Sequence, residues 1–330
     1  MTSRLTLAVP SKGRLQEQVL HYFVDAGLEI TQAAGARGYR GTLTGFPEID
    51  VRLQSASEIA TSLLSGDVHL GITGEDLIRE CPSAGSSIVL LKPLGFGFAD
   101  VVVAVPQAWI DVSTMADLDD VCAAFYQHHR RRLRVATKFA NLTRSFFAHA
   151  GIWDYRIVES LGATEGAPSA GIAEAIVDIT TTGATLAANG LKTLKDGTIL
   201  RSQAHLAASP GATWCEAARA MARLLLLRLA ARERARRSLV LRARLGARSE
   251  AVLDRLEGQL DASILSRPDH GSAHGECAIL CPRSALMSAI AILREEGCLG
   301  AVTAEDADYV FEPNDPLIAT FDAILPNDPI

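Results

Sequence analysis

Asp178 is followed by Thr180, Thr181, Thr182, Gly183, Ala184 and Thr185, so one carboxylate, four hydroxyls and a run of backbone N–H groups fall within eight residues. Amide and hydroxyl donors placed just before a helix hold a phosphate, because they are unpaired and the helix dipole favours negative charge there. The carboxylate would take ribose hydroxyls or a metal-bound diphosphate, so the stretch suits a phosphorylated sugar. An ordinary turn of an α/β protein has the same composition, and the reading needs support elsewhere.

That support lies at three further junctions. Lys12 and Arg14, in PSKGR, follow a short apolar strand and make an anion site or a solvated basic turn. Thr73, Gly74 and Asp76 follow another such strand, where Asp76 is either a partner of a helix N-terminus or a ligand contact. Thr137, Lys138, Asn141 and Arg144 follow a third. In open α/β sheets ligands sit outside the carboxyl ends of strands, so polar groups gathered at four strand-to-helix junctions predict a binding cleft.

The elements that position these groups follow from apolar runs and their periods. Buried strands are predicted at 5–9, 49–53, 68–72, 101–105, 133–136 and 175–179. Helices are predicted at 57–64 and 117–125, with another after Ser11, the expected N-cap, running through Leu15, Val19, Leu20 and Phe23. Residues 31–47, around Arg37, Tyr39 and Arg40, read as a Gly-rich polar connection, and Arg130, Arg131, Arg132 and Arg134 as a basic cluster.

The chain of 330 residues is 48% hydrophobic and 21% charged, enough to bury a sizeable core in two or three domains. A net charge of -6 gives no global attraction to nucleic acid or acidic membrane, so an anionic ligand must be held locally. The six cysteines form no CxxC pair; Cys277 and Cys281 with His270 and His274 are a conceivable metal cluster, but an apolar strand after a polar loop is the simpler reading. No signal-peptide pattern or membrane-length apolar run is present, and a cytoplasmic location is expected.

PSKGRL (10–15), GITGEDL (71–77), LGFGFADVVVAVP (94–106), RVATKFANLTRSFF (134–147) and EAIVDITTTGATLAANGL (174–191) together resemble the ATP phosphoribosyltransferase family, in its order and spacing. The resemblance covers roughly residues 4 to 212. It implies an α/β fold: a two-lobed catalytic unit like type II periplasmic binding proteins, plus a C-terminal helical and small α/β domain. Residues 1–105 and 188–212 would form lobe I, with 198–209 rejoining it; residues 106–187 would form lobe II with the phosphoribosyl-diphosphate loop, and 213–330 a regulatory or oligomerisation domain.

The implied reaction joins N1 of ATP to C1 of phosphoribosyl diphosphate and releases pyrophosphate with Mg²⁺ present, the first step of L-histidine biosynthesis. Lys12, Arg14 and Asp178 would be the catalytic groups. Asp76, Lys138, Asn141, Arg144, Glu174, Thr181, Thr182, Gly183, Ala184 and Thr185 would bind substrate, and no metal ligand is assigned directly. Two departures stand out: Phe98-Ala99-Asp100 replaces the basic and cysteine residues frequent after LGFG, and Glu174 stands where aspartate is frequent. The alternative is a non-catalytic two-lobed small-molecule binding or regulatory protein.

Beyond Pro210, residues 216–260 read as one or two long helices, with Ala222, Leu225, Leu226 and Leu229 on one face and Arg232, Arg234, Arg236 and Arg237 on a solvated or subunit-facing surface. Residues 277–281, 285–293, 299–302, 309–311 and 316–325 read as β-α-β-β-α without a closing strand. The resemblance implies either histidine sensing or an oligomerisation role here, with a homo-oligomer (dimer or hexamer) and a histidine effector or separate regulatory subunit as partners.

Overall fold

The computed structural model describes residues 4–32, 39–82, 87–160, 162–246, 249–267, 275–295 and 298–324. Arg37, His270 and His274, named above, and position 325, the end of the last expected helix, lie outside them. The chain divides into two units: 1–24, 28–221 and 323–330 make the first, 25–27 and 222–322 the second.

The first unit holds two sheets. In lobe I, β1 (Thr6–Pro10) lies parallel between β4 (Phe46–Gln54) and β5 (Leu70–Gly74). β2 (Ile30–Gln32) and β3 (Arg40–Leu43) extend one side, where a connection was expected; β12 (Ala204–Ala208) and β6 (Val89–Pro93) extend the other. All five residues of β1 are buried, as a central parallel strand requires. Helix α1 (Gly13–Asp25) begins two residues after Ser11 and buries Val19 and Phe23. Helix α2 (Ala56–Ser65) opens with a reciprocal Ser55–Glu58 capping box and closes on Gly66, whose φ of 78° and contact with the Gly211 carbonyl leave no room for a side chain. Helix α3 (Glu75–Glu80) follows β5 directly.

Lobe II is built on the order β11-β7-β10-β8-β9. Here β8 (Leu133–Thr137), β9 (Tyr155–Glu159) and β10 (Ala175–Thr180) run parallel, and β7 (Ala99–Pro106) is antiparallel to β10 and to β11 (Leu191–Ser202). Helices α4 (Met115–His129) and α5 (Ala140–His149) cover one face through Leu118, Cys122 and Phe147, and the short α6 (Ala184–Ala188) lies on the other through Leu186. Because β7 and β11 are both strands of this sheet, the chain changes lobe at 94–98 and at Gln203. The expected boundaries at 105/106 and 187/188 therefore move outward: an apolar run identifies a strand but not the sheet it joins.

The second unit contains most of α7 (Glu216–Arg237), then β13 (Ser238–Leu245), α8 (Ser249–Leu260), β14 (Ser263–Ser266), β15 (Gly275–Pro282), α9 (Leu286–Glu295), β16 (Thr303–Glu305) and α10 (Pro316–Ile324). The sheet order β14-β15-β13-β16, antiparallel throughout, with β-α-β-β-α-β connections is a ferredoxin-like arrangement. The strand that seemed to be missing is β13, inside the stretch read as helix. Its period-two alternation buries Leu241, Ala243 and Leu245 and exposes Arg242 and Arg244, but Leu, Ala and Arg are strong helix formers and the composition hid it. Residues 299–302 and 309–311 are not strands; Tyr309 and Phe311 instead stack with ring centroids 5.9 Å apart.

The arginines of α7 are not a free basic surface. Arg234 pairs with Glu312 at 2.9 Å and Asp315 at 2.8 Å, Arg236 with Asp25, and Arg232 donates to the Asp308 carbonyl at 2.8 Å.

Candidate active site

In lobe I the pairing of Pro10 with Gln54 and of Leu7 with Leu70 brings the carboxyl ends of β1, β4 and β5 side by side. The Ser11 N–H donates to the Gln54 carbonyl at 2.8 Å, and the Thr73 hydroxyl to the Ala56 carbonyl at 2.7 Å, which ties the three following loops together. Lys12 and Arg14 are exposed here, and the Lys12 charge reaches Glu58. The Glu58 carboxyl is held below its usual range, first by the Ser55 N–H of the capping box and then by the Ser55 hydroxyl, with Lys12 adding to them.

A hollow of about 470 Å³ opens beside this corner, lined by Tyr39, Arg40, Arg52, Leu53, Gln54 and Glu58. Arg40 and Arg52 face each other directly across the β3–β4 pair. Like charges so placed repel, and a bound anion relieves that repulsion. Arg52 is steadied by Asp50 at 3.4 Å and by the Asp67 carbonyl at 3.1 Å. The two arginines sit twelve residues apart in sequence, and only the hairpin register juxtaposes them.

In lobe II a second hollow, of about 340 Å³, is lined by Ala99, Glu165, Asp178, Thr180, Thr181, Thr182, Ala184 and Thr185 among others. The loop is preset: the Gly183 N–H donates to the Thr180 hydroxyl at 2.8 Å, and Gly183 has a φ of 75°, which favours glycine. The Thr181 hydroxyl donates to the Phe98 carbonyl at 3.3 Å, joining the loop to the segment that crosses between the lobes. Burial pushes the Asp178 carboxyl above its ordinary value, opposed by the Ile179 N–H and by the charge of Lys138. Glu165, which no pattern in the sequence marks, faces the same hollow and raises Asp178 further.

Lys138 lies within electrostatic reach of Asp178 in lobe II and of Asp76 in lobe I. Asp76 is buried, and burial raises its pKa, while the Ser202 hydroxyl donates to it at 2.8 Å. Asp76 thus closes a polar link between α3 and the end of β11.

Of the residues expected to bind substrate, Thr181, Thr182, Ala184 and Thr185 line a hollow, whereas Asp76, Lys138, Glu174, Asn141 and Arg144 line neither, and the last three are engaged elsewhere. Glu174 precedes β10, about 20 Å of strand from Thr180 at ~3.3 Å per residue, and is gripped by Arg134 at 2.7 Å and Arg131 at 3.1 Å. Burial would raise its carboxyl, but those guanidinium bonds outweigh it and bring the pKa to about 2. Glu174 is four residues from Asp178 in sequence, but the strand β10 separates the two in space. Asn141 is engaged with α3: its N–H donates to the Glu80 carboxylate at 2.9 Å and its side-chain amide to the Glu80 carbonyl at 2.8 Å. Arg144 donates to the Asn141 side chain at 3.3 Å. The N-terminus of α5, expected to face a ligand, is therefore satisfied by a carboxylate of lobe I.

No cluster of three or more His, Cys, Asp or Glu suited to a metal is found among the described residues. Asp178 and Glu165 at one hollow fit a hard cation that arrives on a phosphate, since Mg²⁺ typically takes one or two carboxylates plus phosphate oxygens. No helix of the described residues is long and apolar enough to cross a membrane.

The HisG family model, described as ATP phosphoribosyltransferase, matches residues 55–231. A curated ATP phosphoribosyltransferase of Bradyrhizobium diazoefficiens is 52% identical over 327 residues, 98% of this chain and 99% of that protein. One of Rhodopseudomonas palustris (strain HaA2) is 51% identical over 326 residues, again 98% of this chain and 99% of its own length. Among solved structures, the ATP phosphoribosyl transferase (HisG:HisZ) complex from Thermotoga maritima aligns at a TM-score of 0.52 and 27% identity, covering 68% of this chain and 95% of that one. With two α/β lobes, an arginine-lined hollow on one and an Asp/Thr loop on the other, and relatives matching end to end, the chain belongs to the ATP phosphoribosyltransferase family.

Proposed function

We propose that this chain transfers the phosphoribosyl group of phosphoribosyl diphosphate to N1 of ATP, the first step of histidine biosynthesis. The N1–C1 bond forms, the bond from C1 to the diphosphate oxygen breaks, and pyrophosphate leaves. The observation that carries the assignment of substrates is the pair of unlike hollows, one cationic and one built from a carboxylate and threonines. The non-catalytic alternative gives no reason for both.

Thr181, Thr182, Gly183, Ala184 and Thr185 take the 5-phosphate through hydroxyl and amide donors, and Asp178 accepts from the ribose hydroxyls. Arg40 and Arg52, together with Lys12 and Arg14, take the triphosphate of ATP. Lys138, placed to act on Asp76 and Asp178, holds the diphosphate side of the sugar. C1 becomes oxocarbenium-like as its bond to diphosphate breaks, so catalysis rests on alignment of the two substrates and on charge neutralisation, with no covalent nucleophile. Enzymes of this family use a divalent metal; we assign Mg²⁺, which when bound on the diphosphate neutralises the departing charge, with Asp178 and Glu165 as its protein ligands. ATP as a substrate suits a cytoplasmic location.

The second unit serves regulation or assembly into a homo-oligomer, a dimer or a hexamer. The Thermotoga maritima structure is a complex of HisG with HisZ, and about a third of the present chain lies outside the match to it. We assign that extra length the part of a histidine-responsive domain carried in the same chain.

The test is to mix the full chain with ATP, phosphoribosyl diphosphate and Mg²⁺, add pyrophosphatase, and follow N1-phosphoribosyl-ATP. Asp178→Asn and Thr182→Val are expected to raise the KM for phosphoribosyl diphosphate more than that for ATP. The opposite ordering would exchange the two hollows, and no product from the wild type would remove the reaction.

A further inference from the structure

Phe98 is 58% exposed, and the position of this aromatic ring in the fold is not accounted for by packing. It lies on the 94–98 crossover between the lobes, one residue before β7. The neighbouring Phe96 turns into lobe I, where its ring lies 5.9 Å from that of Tyr22, and the Phe96 carbonyl accepts from the Ala204 N–H at 2.9 Å. Gly95 and Gly97 both have positive φ, and a side chain on Gly97 would meet Leu15 at 3.0 Å and Ala204 at 3.2 Å. The backbone under Phe98 is thus fixed from lobe I, while its own carbonyl is held by the Thr181 hydroxyl of lobe II at 3.3 Å.

The register of β7 on β10 sets what lies beside Phe98. Asp100 lies opposite Thr180 and Val102 opposite Asp178, so the strand that Phe98 leads into runs alongside the Asp178–Thr180 segment. Ala99 and Thr181, its covalent neighbour and its hydrogen-bond partner, both line the lobe II hollow. Among the exposed large apolar residues of the described chain, Ile179 also borders this hollow, but Phe98 is the aromatic one beside it.

We infer that Phe98 is the platform on which the adenine of ATP stacks as it meets the sugar, and so a positioning residue for the acceptor. The inference rests on the assignment of the lobe II hollow to the phosphoribosyl group. Bond formation between N1 and C1 requires the base to lie against the ribose at van der Waals distance, and a flat apolar ring carried on a fixed backbone beside that ribose gives the base a surface to lie on. The triphosphate, attracted by Arg40 and Arg52, anchors the other end of the nucleotide.

The experiment is steady-state kinetics of the full chain carrying Phe98→Ala, Phe98→Leu or Phe98→Trp. Loss of a base–aromatic stack is expected to raise the KM for ATP about tenfold in the Ala and Leu variants. The Trp variant is expected to keep it near the wild-type value, and the KM for phosphoribosyl diphosphate should change by less than about twofold throughout. An unchanged KM for ATP in Phe98→Ala, an equal rise for both substrates, or a Leu variant as good as wild type would overturn the platform. Should Phe98→Ala fail to fold, the Leu and Trp variants decide alone. Thr182→Val in the same assay reports separately on the sugar site, so failure of one assignment is not mistaken for failure of the other.

Discussion

The identity of a residue predicted its neighbours here only where they were contiguous in sequence. Asp178 and the threonines after it line one hollow because they occupy one strand end and one turn, so their spacing in the chain is nearly their spacing in space. Glu174 is only four residues from Asp178, yet it belongs to the opposite end of β10 and to Arg131 and Arg134. Glu174→Gln should therefore cost stability, about 2 kcal/mol for the loss of charge-assisted bonds, and leave both substrate KM values within about twofold. The dependence on pH has a definite sign. With a folded pKa of about 2, below its ordinary 4.5, Glu174 contributes stability that is full above pH 4.5 and lost as pH falls through about 2. The difference between wild type and variant in urea denaturation should shrink over that window; a constant difference would mean that the charge of Glu174 is not what the arginines hold.

At the scale of elements, strands were legible and their company was not. Long apolar runs such as VVVAV in β7 announce burial on both faces, which is why most of the parallel strands could be placed from the sequence. Which sheet β7 joins depends on hydrogen bonds to β10 and β11, whose partners lie about 70 to 100 residues away. One side chain outside the site fastens such distant pieces. His69, immediately before β5, accepts from the Thr6 N–H at Nδ1 (3.1 Å), lies 3.0 Å from the Thr213 carbonyl at Nε2, and meets Trp214 edge-on at 4.7 Å. Accepting at Nδ1 requires the neutral ring with its proton on Nε2. Burial, chiefly, lowers its pKa; the Thr213 carbonyl opposes this and Arg52 adds to it. A histidine with a lowered folded pKa contributes stability that is present above the ordinary value of 6.5 and lost as pH falls through the folded pKa. The wild type should accordingly lose stability below about pH 6.5 by a step that His69→Gln lacks; an identical pH profile in the two proteins would assign the step elsewhere.

For the whole molecule, the second unit turned out to be a complete β-α-β-β-α-β domain with its own core, in which Leu241, Leu253, Leu256, Ile279 and Leu293 pack together. The proposed histidine response of this domain can be read directly. Histidine at millimolar concentration should inhibit product formation by the full chain with no second protein added; an unchanged rate would leave this domain to assembly, which sedimentation would then show as a defined oligomer. The sequence by itself determined the family, the α/β class, the grouping of Asp178 with the threonines after it and most buried strands, because each of these is written in local order: apolar periods, turn chemistry and ordered motifs. The tertiary structure alone decided that Arg40 faces Arg52, that Lys138 lies within electrostatic reach of both Asp76 and Asp178, that Glu80 occupies the start of α5, and that the Phe98 carbonyl meets the Thr181 hydroxyl. Those pairings depend on strand register and chain crossings between segments up to about a hundred residues apart, and no local pattern of residue types encodes them.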